Sequence, residues 1–184
     1  MEDRMIDPAL NYRLSLSINL AIPIAASLAA LMTSGQSAPF AVVLAWCVGI
    51  WTYWLIEYLG HRAFHVISLG HQAHHDDPRA PVAMPFWVGT AAHFVALNIV
   101  WWLFDLPVAL AFVMGSSLAY AFYCVLHESM HSAPAMIKRL APQLYKHHAL
   151  HHARGDVNFG VSTWFFDWFF GTLEAPSTKK ICHG

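Results

Sequence analysis

The sequence predicts an all-α integral membrane protein, with four transmembrane helices carrying a histidine-rich cytoplasmic helical cap. Three observations predict it. Of 184 residues, 57% are hydrophobic and 11% charged, whereas a soluble domain carries about 25% charged residues; mean hydropathy is +0.44. Four apolar stretches each run about 20 residues, enough for roughly 30 Å of helix across a bilayer core. Ten histidines form four tight clusters, and these lie where a membrane chain would turn back toward one face.

The length fits one domain, 1–184. The predicted spans are 14–32, 39–59, 84–104 and 107–126, with cap segments at 60–83 and 127–173. The connection at 33–37 is short and uncharged. Asp105-Leu106 before Pro107 reads as a tight hairpin, which puts both connections on one side. All ten basic residues fall on the other side: Arg4, Arg13, Arg62, Arg79, Lys138, Arg139, Lys146, Arg154, Lys179 and Lys180. By the positive-inside bias that side is cytoplasmic and holds both termini. A bacterial inner membrane and an endoplasmic reticulum membrane fit equally.

After the fourth span, 134–150 reads as an amphipathic helix on the membrane surface, with Lys138, Arg139 and Lys146 on its polar side. The stretch 158–173 is aromatic and too short to span. It reads as an interfacial or packing segment, with Gly160 and Gly171 as breakers. The last ten residues read as frayed. No cleavable signal peptide and no internal repeat is visible. Cys47, Cys124 and Cys182 are scattered with no CxxC pair, which indicates neither a disulfide framework nor a zinc ribbon. A net charge of −1 gives a nucleic-acid partner no electrostatic support.

The clusters are His61 and His65; His71, His74 and His75; His127 and His131; and His148, His151 and His152. Residues three and four apart share a helix face, so each cluster can aim its imidazoles at a common point. Neutral imidazole is the commonest protein metal ligand. One ion rarely takes more than six ligands, so ten histidines indicate two metals. The first and third clusters continue the cytoplasmic ends of the second and fourth spans. Carboxylates are sparse nearby: Glu57, Asp76, Asp77, Glu128 and Asp156. Soluble di-iron bundles use mainly glutamates. Imidazole suits zinc, copper, iron and nickel, so the ligand type alone selects none of them.

The motifs HRAFH, HQAHH, HESMH and HALHH occur in an order and spacing that resemble the fatty acid hydroxylase and sterol desaturase superfamily of membrane di-iron enzymes. NFGVSTWFFDWFFGT resembles that superfamily's closing motif, with the Trp-Asp order inverted to Phe166-Asp167-Trp168. HHDDPRAPVAMP resembles the stretch after the second cluster in the fatty acid 2-hydroxylase branch. The resemblance covers about 57–173. It implies a lipid monooxygenase that hydroxylates a C–H bond, most readily in an acyl chain of a fatty acid or sphingolipid. It also implies two Fe ions held by the ten clustered histidines, O2 as co-substrate, and a separate ferredoxin- or cytochrome b5-like electron donor. Zinc can replace iron in such sites in recombinant protein. Two features depart from the pattern. The first pair has three residues between its histidines where some branches have four, and only five residues separate His65 from His71. Desaturation, or hydroxylation of a sterol or carotenoid, is a neighbouring reading; the closing motif favours an acyl lipid.

HESMH also matches the H-E-x-x-H of zinc proteases, with Glu128 as general base. That hydrolase reading leaves most of the clustered histidines unexplained. Four residues are candidates for orienting ligands: Glu57 one turn before His61, Tyr123 one turn before His127, Glu128, and Asp167, which is placed to meet an Arg or His of the cap. His93 lies inside the third span. It reads either as a neutral histidine bonded to a neighbouring helix or as part of the substrate channel. His147 reads as pointing off the face of the fourth cluster, either behind the ligands or at the surface, and His183 as having no role. Trp51, Trp54, Trp87, Trp101, Trp102, Trp164 and Trp168 read as interfacial or lipid-facing anchors.

Overall fold

A computed structural model describes residues 7–32, 38–67, 71–78 and 85–175. The described residues form eight helices and no strand: α1 (Pro8–Met32), α2 (Pro39–Ile67), α3 (His71–Asp76), α4 (Phe86–Leu103), α5 (Leu106–Ser132), α6 (Pro134–Leu140), α7 (Pro142–Arg154) and α8 (Phe165–Phe170). Four of them, α1, α2, α4 and α5, are long and apolar enough to cross a membrane. The connection at 33–37, Arg79, and the tail with Cys182 and His183 lie outside the described residues.

α2 and α5 run beyond the predicted apolar stretches, to Ile67 and Ser132. His61, His65, His127 and His131 therefore ride on the same rigid helices as the spans beneath them. α1 begins at Pro8, so Arg13 lies inside the helix, exposed on its surface. The single helix expected over 134–150 is instead two, α6 and α7, divided at Ala141. Pro142 has no N–H to continue the ladder, and its ring is tolerated only in a first turn. The hairpin forms as read: the Asp105 carboxylate accepts the Val108 N–H at 2.9 Å and caps α5, with Pro107 in the first turn.

α5 is the central helix and packs against α1, α2 and α4. Small residues let it do so. A Cβ on Gly49 would strike the Phe112 carbonyl, and one on Gly115 would strike the Trp46 carbonyl. Both positions need glycine for the backbones to meet, as is common between helices in lipid. Across to α1, the Ser117 hydroxyl donates to the Asn19 carbonyl at 2.8 Å.

At one end, the Phe86 N–H donates to Asn11 Oδ1 at 2.8 Å, and the Ser15 and Tyr120 hydroxyls meet at 2.8 Å. These contacts hold the starts of α1 and α4 together and tie α1 to the middle of α5. The four histidine clusters gather at that same end. Trp87, Trp101, Trp102, Trp164 and Trp168 are exposed, as expected of lipid-facing anchors. α8 packs its buried Phe166 near the fully buried Tyr58 and turns Trp168 and Phe169 outward.

Candidate metal centre

The ten clustered histidines form two groups of five: His61, His65, His71, His75 and His151; and His74, His127, His131, His148 and His152. Within each group the available nitrogens all lie within 4.8 Å of one another. The groups do not follow the sequence clusters. α3 sends His71 and His75 to the first group and His74 to the second. α7 sends His148 and His152 to the second and His151 to the first. The reason is helical geometry. A residue four positions on is rotated by about 40°, whereas one three positions on is rotated about 60° the other way. The i, i+4 pair stays together, and the i+3 histidine faces the neighbouring group. The expectation that each cluster converges on one point therefore holds for the pairs and fails for the triplets.

The donor set fits metal ions. His71 Nε2 lies 3.1 Å from His61 Nε2, 2.9 Å from His65 Nε2 and 3.1 Å from His75 Nε2. His65 and His151 meet through Nε2 at 3.1 Å. In the second group His148 Nε2 lies 3.1 Å from the Nε2 atoms of His131 and His152. A ring nitrogen has one proton at most to share, so hydrogen bonding cannot satisfy three nitrogens around His71. Shared cations can. With metal–nitrogen bonds near 2.1 Å, ligands at right angles sit about 3.0 Å apart and tetrahedral ligands about 3.4 Å apart. The observed edges match right angles, which suit five or six ligands better than four.

Electrostatics agree. Burial pushes His71 down to about 3, His75 to about 4, His151 to about 3 and His152 to about 2, with repulsion among neighbouring imidazoles adding to it. The same causes hold His148 well below the usual histidine range. These rings are neutral at pH 7 and present lone pairs without first losing a proton.

One loop orients two histidines of the first group. The Phe159 carbonyl accepts His61 Nδ1–H at 2.5 Å, and the Val157 carbonyl accepts His151 Nδ1–H at 2.7 Å. Each bond fixes the tautomer that leaves Nε2 free for a metal. Buried Asp167 holds this loop. Its carboxylate accepts the N–H of Phe159 at 2.7 Å and of Gly160 at 2.8 Å, the Thr172 hydroxyl at 2.8 Å, and His147 Nε2–H at 3.0 Å. Asn158, fully buried at φ 56°, exchanges hydrogen bonds with the Glu174 backbone. Asparagine is among the few side chains that take this left-handed conformation readily.

Below the groups a cavity of about 380 Å³ runs among α1, α2, α4 and α5. His61, His71 and His127 line its upper end. Apolar side chains such as Ile56, Val88, Ala92 and Ala96 form much of the wall.

The fatty acid hydroxylase family model matches residues 21–172. The chain belongs to the fatty acid hydroxylase family. It is 31% identical over 151 residues to the ceramide very long chain fatty acid hydroxylase SCS7 of Saccharomyces cerevisiae, covering 71% of this chain and 38% of that protein. It is 30% identical over 173 residues to the dihydroceramide fatty acyl 2-hydroxylase FAH1 of Arabidopsis thaliana, covering 80% of this chain and 67% of that one. A solved structure of full-length scs7p, with only the hydroxylase domain visible, shares the fold. Its TM-score is 0.69 at 25% identity, over 91% of this chain and 69% of that chain. The chain thus spans well under half the length of the yeast relative.

The remaining candidates are distributed as follows. Glu57 is buried but meets no imidazole. It accepts the N–H groups of Val161 and Ser162 at 2.8 Å and the Ser162 hydroxyl at 2.6 Å, so it anchors the loop rather than a ligand. Tyr123 stacks on His127, with centroids 5.5 Å apart and planes at 11°. Glu128 is exposed. His147 is buried against Asp167, the place behind the histidine groups rather than the surface one. His93 bonds the Gly89 carbonyl of its own helix through Nδ1 at 2.8 Å, also meets the Ser116 backbone of the neighbouring α5, and lines the cavity. Sequence reasoning missed Asn158, Ser162 and the Val157 and Phe159 carbonyls. The only available signal was the polar residues inside the aromatic closing motif.

Proposed function

We propose that this chain is a membrane-embedded di-iron oxygenase that hydroxylates a C–H bond in the acyl chain of a fatty acid or sphingolipid. The observation that carries this reading is the pair of five-imidazole groups at the head of a largely apolar cavity. The overall change is R–H + O2 + 2 e⁻ + 2 H⁺ → R–OH + H2O. His61, His65, His71, His75 and His151 would hold one ion, and His74, His127, His131, His148 and His152 the other. Bound iron would supply the oxygen activation and redox chemistry that side chains lack and that zinc cannot provide.

The chain's own residues do the rest. Val157 and Phe159 hold His151 and His61 in the ligating tautomer. Ile56, Val88, Ala92 and Ala96 give the acyl chain an apolar wall and exclude water from it. Electrons come from a separate ferredoxin- or cytochrome b5-like protein. Exposed Lys138, Arg139 and Lys146 at the histidine end suit an acidic partner of that kind. The names of the relatives, which specify ceramide and dihydroceramide acyl groups, support an acyl lipid as substrate.

The test is turnover under 18O2 with a chemical or protein reductant. One labelled oxygen atom is expected in the lipid product. Turnover in strict anoxia without a donor would sink the assignment.

The exposed Glu128 separates this reading from a zinc hydrolase. Glu128→Gln is expected to keep its metal and retain activity within about threefold, because Glu128 is exposed at the cavity and belongs to neither five-histidine group. A hydrolase relying on it as general base would lose about 100-fold or more.

We also propose that the histidine end is cytoplasmic, with ten basic residues on that side. Reporters fused at either terminus should read cytoplasmic, and a tag inserted at 34–35 external. An external C-terminus would break this arrangement.

A further inference from the structure

Within the cavity wall, three tyrosines form a collar. Ring centroids of Tyr53 and Tyr120 lie 5.4 Å apart, and Tyr123 lies 6.3 Å from each. Gly89 makes room for the collar: a Cβ there would sit 3.0 Å from Tyr120 Cε1. The Tyr120 hydroxyl is engaged by Ser15 at 2.8 Å. Tyr53 and Tyr123 also line the cavity, and neither hydroxyl has a hydrogen-bond partner among the described residues. In a membrane interior an unpaired phenol is costly, and a buried tyrosine hydroxyl usually has a partner.

The collar's height matters. Tyr123 is one helical turn, about 6 Å, below His127 and stacks directly on it. By area the cavity wall is mostly apolar, although Thr52, His93 and Ser116 also line it. A plain hydrocarbon tail has no use for two free phenols at that level. A lipid with a single carbonyl between apolar segments does, since each phenol can donate one hydrogen bond to a carbonyl oxygen.

We propose that Tyr53 and Tyr123 donate to the acyl carbonyl of the lipid substrate, and that this contact selects the carbon presented to the histidine groups. The proposal rests on the oxygenase reading for its consequence but not for the binding itself. A carbonyl held one turn from His127 brings a carbon within a few bonds of it to the site and keeps the chain's far end away. Tyr53 and Tyr123 are thus specificity-determining residues.

The test uses the full chain in lipid nanodiscs with N-stearoyl sphinganine as the probe. Its Kd is measured for the wild type and for Y53F/Y123F, and the hydroxyl position in the product is mapped by mass spectrometry. Loss of two hydrogen bonds is expected to weaken binding about 10- to 100-fold. The product should shift from one position near the carbonyl to several. Metal content and thermal midpoint report whether the variant is folded. Should the double variant not fold, Y53F alone is expected to weaken binding about 3- to 10-fold. A Kd within twofold of wild type and an unchanged product would overturn the proposal, as would a wild-type chain that does not bind the probe. A wild type that binds, loses affinity in the variant, yet makes no product under O2 and reductant would support the collar and overturn the oxygenase reading instead.

Discussion

Replacing His71 with alanine is expected to remove one of two metal ions and at least about 100-fold of lipid turnover. His71 Nε2 is the hub of the first group, facing three other imidazole nitrogens at 2.9–3.1 Å. The second group does not use it, so His74, His127, His131, His148 and His152 keep their arrangement. The expected preparation is folded, half-loaded and nearly inactive. Metal analysis beside a turnover assay checks both parts. Full metal content with intact activity would remove His71 from the site.

Asp167→Ala is expected to destabilise the chain by about 3–5 kcal/mol and to weaken metal binding as well. The carboxylate is fully buried and accepts from four donors: Phe159 N, Gly160 N, Thr172 Oγ1 and His147 Nε2. Removing it strands all four in a site that water reaches poorly. It also releases the loop whose carbonyls orient His61 and His151. Asp167→Asn preserves the shape but turns an amide N–H toward at least one of these donors, so it should fall between wild type and alanine. Thermal unfolding in detergent with and without added metal separates the two effects. A variant as stable as wild type would refute the anchoring role.

Much of the fold was legible because a bilayer leaves few options. Helices must satisfy their own backbone, so an apolar run of about 20 residues reads directly as a span. That the ten histidines come together was legible because one residue type recurs at helical spacing. Their division into two groups was harder to foresee. It depends on α3 and α7 lying between the two groups, so that His74 and His151 cross over. The break between α6 and α7 was visible in Pro142 but overridden by the amphipathic pattern around it. The orienting partners were least legible. Backbone carbonyls such as those of Val157 and Phe159 carry no side-chain signature. Glu57 has the right helical spacing to His61, yet it meets a loop more than 100 residues away in sequence. For His147 the spacing left a place behind the ligands and one at the surface both open; Asp167, supplied by α8, settles it as buried.

The central claim is that this chain holds two metal ions, one in each five-histidine group. The most direct measurement is metal content per chain in protein made in iron-replete cells and purified gently, followed by stepwise iron titration of metal-free protein. Saturation at two ions per chain is expected, with turnover following iron rather than zinc. Saturation at one ion per chain would contradict the account.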